Sequence, residues 1–176
     1  MPVLDFEKSK TQLQEFLSRL LKTARIDLRF EIRPGSPGSP AGNANDGEHA
    51  PELTVDFSGP DTDILLAKGG ELLEALEDIS GRILRLPTEE RGCISFDSRD
   101  FKMLRVEELK LVAETAAEKV VKSGAPFALS PMNSRDRRVV HLALKENTAV
   151  RTESEGGGSY RKVVIFPAAM KPAEKK

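Results

Sequence analysis

Apolar positions along the chain change their period several times, and each change predicts an element. Phe6, Leu13, Phe16, Leu17, Leu20 and Leu21 recur at helical spacing, so residues 5–22 form an amphipathic helix with Asp5 as its N-cap. The period then drops to two. Ile26, Leu28, Phe30 and Ile32 alternate with Arg25, Asp27, Arg29, Glu31 and Arg33, the pattern of a strand with one buried face. Residues 34–51 are rich in Gly, Pro, Ser and Asn and offer almost nothing to bury, which predicts a disordered insertion at 35–50. Leu53, Val55 and Phe57 alternate again at 52–58, so the insertion interrupts a hairpin. A fold tolerates such a loop because closure entropy grows slowly with length.

Gly59-Pro60 breaks the second strand. A short helix follows at 61–67, then a tight turn at Lys68-Gly69-Gly70, then a helix at 71–84 with Leu72, Leu73, Leu76, Ile79 and Ile83 facing inward. A turn at 87–92 leads into a third strand at 93–97. Beyond a connector, residues 104–122 carry the stripe Leu109, Val112, Ala113, Ala116, Ala117 and Val120, a long helix ended by Ser123-Gly124. A short strand at 126–129, a helix at 134–146 and strands at 150–154 and 161–166, joined through Gly156-Gly157-Gly158, complete the chain. The fold class is α+β in two small domains, 1–98 and 99–168, with a flexible tail at 169–176.

Composition narrows the chemistry. Hydrophobic residues make up 39% of 176, but aromatics only 5% and Trp is absent, so the cores are mainly aliphatic. A formal net charge of −1 argues against a protein that coats nucleic acid through bulk charge; any such binding needs a local basic face. The lone Cys93 excludes an intramolecular disulfide and a cysteine-rich zinc site, and its strand-like setting marks it as a small hydrophobe. No apolar run is long enough for a signal peptide or a bilayer span. The expected compartment is the cytoplasm, with no direct membrane insertion.

The local basic face is found on the helix at 134–146. On a helical wheel Val139, Val140, Ala143 and Leu144 fall on one side, and Arg137, His141 and Lys145 align on the other, with Ser134 and Arg138 beside them. A guanidinium offers a planar fork of donors to phosphate, and an imidazole can donate from a ring nitrogen or stack on a base. An ordinary solvated helix face has the same composition, and spacing alone leaves both readings open. A hydrolase with His141 as general base is a third reading, opposed by the lack of a Gly-x-Ser-x-Gly elbow. No cofactor is implied, and His141 has no carboxylate or histidine four residues away to share a metal.

Surrounding residues add a resemblance. Arg137-x-x-x-His141 sits between Leu129-Ser130-Pro131-Met132-Asn133 and two later blocks, Thr152-Glu153-Ser154-Glu155-Gly156 and Tyr160-Arg161-Lys162-Val163-Val164-Ile165-Phe166-Pro167. The whole string resembles the C-terminal R-three-H domain of the bacterial Jag, or SpoIIIJ-associated, proteins, where this domain follows a KH domain. Residues 65–73 read Leu-Leu-Ala-Lys-Gly-Gly-Glu-Leu-Leu, against a family pattern of Leu-x-Gly-x-x-Gly-Glu-x-Leu. Gly70 and Glu71 match, Lys68 supplies a charge, and Ala67 replaces the first glycine.

The resemblance implies a type II KH unit, helix-strand-strand-helix-helix-strand, followed by a small R-three-H α/β unit. It implies a non-catalytic protein for single-stranded RNA, with single-stranded DNA as the alternative, acting as a post-transcriptional regulator linked to elongation, division or sporulation. By motif match Arg137 and His141 face the nucleic acid, as does Gly70 through its backbone; Gly69 joins it as part of the same turn, and Arg138, Arg161, Lys145 and Lys68 on charge and position. The resemblance also implies a small stand-alone KH protein as partner, or self-association, through the KH unit. Glu71, Glu74, Glu77 and Asp78 on the following helix would repel a nucleic-acid strand, which keeps a protein-interaction adaptor open as the alternative. Many relatives carry a further N-terminal domain, and nothing of it is expected in a sequence that opens almost at the KH helix.

Overall fold

Asp5 does cap the first helix: its carboxylate accepts from the Lys8 amide at 3.2 Å, and α1 runs over Phe6–Ala24. The computed structural model describes residues 4–35 and 51–170. The insertion expected to be disordered, apart from Gly35, and the tail beyond Met170 lie outside the described residues. The chain divides into two units, Met1–Met103 and Leu104–Lys176.

In the first unit α1 ends where Arg25 turns left-handed, φ 55°, and its N–H closes onto the Leu21 and Lys22 carbonyls. That cap and the turn behind it use the residues up to Leu28, so β1 (Arg29–Pro34) begins at Arg29 and not at Arg25 as the alternation suggests. β1 pairs antiparallel with β2 (Leu53–Ser58), from Arg29 opposite Ser58 to Pro34 opposite Leu53. The Gly35 amide then donates to the Glu52 carbonyl at 2.9 Å, so the hairpin stays paired up to the mouth of the insertion. The expected helix-turn-helix is α2 (Thr62–Ile83), interrupted by non-helical backbone at Ala67, Lys68, Gly69 and Gly70. A 3-10 turn, Thr88–Cys93, leads to β3 (Ile94–Asp97), which pairs parallel to β2 in the order β1-β2-β3. Cys93 thus sits just ahead of the strand, not in it.

Leu13, Leu17, Leu53, Val55, Ile94 and Phe96 are fully buried between α1, α2 and this sheet. Phe57 meets Phe96 edge-on at 5.6 Å, a favoured aromatic geometry. The order helix-strand-strand-helix-helix-strand is the one expected for a KH-like unit.

α3 (Phe101–Ser123) starts earlier than the apolar stripe predicts. Arg99 and Asp100 both turn left-handed, and the Asp97 carboxylate accepts from the Ser98 and Lys102 amides at 2.8 and 3.3 Å, which caps the new helix. Leu109, Ala113, Ala116, Ala117 and Val120 are buried as expected, but Val112 is exposed. β4 (Phe127–Ala128), α4 (Ser134–Ala143), β5 (Val150–Glu155) and β6 (Lys162–Pro167) follow. The strands form an antiparallel sheet in the order β4-β6-β5. Val140 and Leu144 pack with Val150, Val163 and Ile165, and the buried cluster of this unit is wholly aliphatic. α4 is shorter than the periodicity suggests. The Lys145 amide bonds to the Leu142 carbonyl at 3.2 Å, so the chain has already entered a tighter turn.

Candidate nucleic-acid interface

Two contacts fix the start of α4. The Asn133 side chain accepts from the Asp136 amide at 2.8 Å, a helix N-cap. Asp136 itself is buried and takes the Arg105 fork, Nε at 3.0 Å and Nη2 at 2.8 Å. The one acid in α4 is therefore turned inward against α3 and leaves the outer face to its bases. Just upstream the chain runs along β6: the Leu129 amide donates to the Val163 carbonyl at 2.9 Å and the Met132 amide to the Arg161 carbonyl at 3.1 Å. This brings Arg161 to the first turn of α4.

Arg137 sits in that first turn, with its Nε donating to the Asn133 carbonyl at 3.3 Å. Partial burial, and after it the like charge of Arg161, lower the pKa of its guanidinium from the ordinary arginine value. Among the described residues neither Arg137 nor Arg161 forms an ion pair. Two guanidiniums close enough to repel, with no carboxylate between them, make a site that an anion would stabilise.

His141 lies one turn further on and is half-buried. Its Nδ1 contacts Thr152 Oγ1 at 2.6 Å and its Nε2 contacts Ser154 Oγ at 3.0 Å. Thr152 and Ser154 alternate with Arg151 and Glu153 along β5, so both hydroxyls project to the face that α4 covers. Sequence reasoning expects a ring nitrogen turned out towards a ligand; here both nitrogens are engaged with the sheet. Burial, followed by the charge of Arg137, lowers the His141 pKa from the usual value. The imidazole is thus a neutral clip between α4 and β5, one helical turn from Arg137.

The His141–Ser154 contact has the reach of a base and nucleophile, but the setting opposes that chemistry. A general base must become imidazolium, which a carboxylate partner would stabilise. The third group here is the Thr152 hydroxyl, and the neighbouring charge is the positive Arg137.

Other expected site residues are placed differently. Arg138 is exposed on α4, and Lys145 is exposed in the turn after the helix, off the Arg137–His141 column. Arg151, which was not expected in the site, belongs to the opposite face of β5, ion-paired to Glu153 and stacked 4.3 Å over the Phe166 ring. Sequence reasoning gave no role to Tyr160, which is 81% exposed beside Arg161. The available signal was its singularity: it is the only tyrosine, next to a basic residue and a glycine run.

At the α2 turn Lys68 is exposed and left-handed, φ 52°, followed by Gly69 at 74° and Gly70 at 82°. Gly70 is buried, and a Cβ there would lie 2.5 Å from the Phe101 ring. The space beside Gly70 is therefore taken by Phe101 and is not open to a phosphate. The acids behind the turn also read differently. Glu77 is buried, accepts from the Phe96 amide at 2.7 Å and pairs with Lys102, while Asp78 takes Arg82 at 2.9 Å and Arg91 at 2.7 Å. Two of the four acids expected to repel a strand are neutralised internally. Cys93 is half-buried, and burial with the Glu52 charge pushes its thiol up to about 12, so it carries no thiolate at neutral pH.

Residues 107–167 match the family model of the R-three-H domain. This segment is an R-three-H domain. Over 114 residues the chain is 30% identical to the RNA-binding protein KhpB of Clostridium symbiosum, covering 65% of this chain and 51% of that one. It is 30% identical over 112 residues to KhpB of Lactiplantibacillus plantarum, 64% of this chain and 35% of that one. It is 31% identical over 112 residues to KhpB of Bacillus subtilis, 62% and 53%. The family resemblance read from the sequence stands, and the chain spans between about a third and about half of the length of these relatives. Among the described residues no group of three His, Cys, Asp or Glu could hold a metal ion, and no helix is long and apolar enough to cross a membrane.

Proposed function

We propose that this protein is a non-catalytic binder of single-stranded RNA that acts as a post-transcriptional regulator, with the R-three-H domain as its main contact. The observation that carries this reading is the Arg137–Arg161 pair, two guanidiniums without a carboxylate partner on one face of an R-three-H domain. Relatives named RNA-binding protein KhpB point the same way. His141 ties the helix that carries Arg137 to β5. Arg138 and Lys145 add charge at the margin, and the α2 turn, with Lys68, Gly69 and Gly70, is a second and weaker contact. The R-three-H site tolerates DNA as well, because phosphate recognition does not read the sugar.

Binding of a short single-stranded oligoribonucleotide, followed by anisotropy, tests the reading. Arg137→Gln combined with Arg161→Gln is expected to weaken binding by at least about tenfold, as the loss of charge-assisted contacts requires. Unchanged affinity would overturn it.

Pairing through the KH-like unit, with a stand-alone KH protein or a second copy, is a second activity and not the main one. Ile79 and Ile83 of α2, which the periodicity expects to face inward, are exposed, as is Ile64, and these favour it. Light scattering of the chain, alone and with such a protein, checks it.

A further inference from the structure

Tyr160 is the chain's one tyrosine, in a sequence without tryptophan. Among the described residues it has no ring partner, no cation over its face and no hydrogen bond from its hydroxyl. An 81% exposed aromatic ring in a protein this poor in aromatics has no packing role.

The backbone that carries the ring is nevertheless fixed. The Tyr160 amide donates to the Gly157 carbonyl at 3.2 Å, the Arg161 amide donates to the Gly158 carbonyl at 3.3 Å, and the Arg161 carbonyl accepts from Met132 at 3.1 Å. Gly156, at φ 88°, lies so close beneath that a Cβ would sit 2.9 Å from the Tyr160 carbonyl oxygen. The turn is therefore built around glycine and holds the tyrosine out from a set position. Arg161 follows directly, about 3.8 Å away between Cα atoms; its carbonyl is bonded to Met132, next to Asn133, whose carbonyl accepts from Arg137 Nε at 3.3 Å.

We propose that Tyr160 is a stacking platform for a nucleobase, and that with Arg161 and Arg137 it forms a subsite for one unstacked nucleotide, base on the ring and phosphate on the guanidiniums. This rests on the nucleic-acid reading of the R-three-H domain and gives it a strand preference. Bases inside a duplex already stack on their neighbours and cannot reach the ring; those of a single strand can. Every base has a π-face, so the platform favours single strands without selecting a sequence.

The protein carries its own probe, since its ultraviolet emission comes from Tyr160 alone apart from weak phenylalanine. Titration with a short single-stranded oligoribonucleotide is expected to quench that emission saturably, and an abasic oligonucleotide of equal length is not. Tyr160→Ala is expected to weaken single-strand binding on the order of tenfold while keeping the salt dependence of wild type. Tyr160→Phe is expected to bind like wild type, because the ring is retained. If wild type and Tyr160→Ala bind equally and no quenching occurs, while the Arg137 and Arg161 variants still lose affinity, the platform is refuted and the phosphate site stands. If the arginine variants also bind like wild type, both readings fall together.

Discussion

The glycine turn of α2 and the opening turn of α4 both set basic residues beside a helix start, yet their surroundings treat charge in opposite ways. Around α2 charges are answered from within: Lys102 by Glu77, Arg82 and Arg91 by Asp78, Arg99 by Asp63. Even the glycine is absorbed, because Gly70 gives its space to Phe101. Within α4 the one acid, Asp136, is drawn inward by Arg105, and among the described residues neither Arg137 nor the neighbouring Arg161 pairs with a carboxylate. A count of charges along the sequence cannot separate these cases. What makes a base available to a ligand is where its nearest acid has been sent.

The charge balance around α2 is most exposed at Lys102. Lys102→Met leaves the buried Glu77 carboxylate without its partner, which is expected to destabilise the KH-like unit by about 3–5 kcal/mol. Adding Glu77→Gln removes the charge while keeping an acceptor for the Phe96 amide, and should recover most of the loss. Denaturant melts of the single and double variants check both; a double variant as weak as the single would show that the pair is not the cause.

Gly70→Ala comes next. It forces a side chain into left-handed backbone and against Phe101, for an expected loss of about 2–3 kcal/mol. If the glycine served only a ligand, stability would hold and binding alone would fall, so melting and binding should be measured on the same sample.

The smallest effect sharpens the other side. His141 has its pKa lowered in the fold, so the unfolded chain takes up a proton that the folded R-three-H domain resists. The resulting stability is fully present above the usual histidine value of about 6.5 and is lost as pH falls through it. Melts at pH 7.5 and 5.5 should differ in that direction, and His141→Asn should shrink the difference. A stability that rises on acidification would contradict the neutral clip.

Much of the fold was legible because periodicity reports burial directly. The alternation of Leu53, Val55 and Phe57 and the stripe from Leu109 to Val120 are buried as the pattern requires, Val112 apart. Boundaries were less legible where a cap or a left-handed residue, such as Arg25 or Asp100, overrides the pattern. In the site, the Arg137–His141 spacing gave the helix face but not the direction of each side chain. The Thr152 and Ser154 hydroxyls that capture His141 lie on a strand eleven and thirteen residues away in sequence, and neither carries a charge to mark it. Tyr160 escaped for a related reason: a single exposed ring has no period.

The salt dependence of single-strand binding reports on the two arginines with least ambiguity, because each phosphate contact on a single strand contributes about 0.7 to the slope of log affinity against log salt. Wild type, the Arg137→Gln and Arg161→Gln double variant, and Lys68→Gln should be compared on one oligoribonucleotide. The double variant is expected to flatten the slope by about 1.4, and Lys68→Gln to change it less. A slope left intact by the loss of both arginines would contradict the phosphate site.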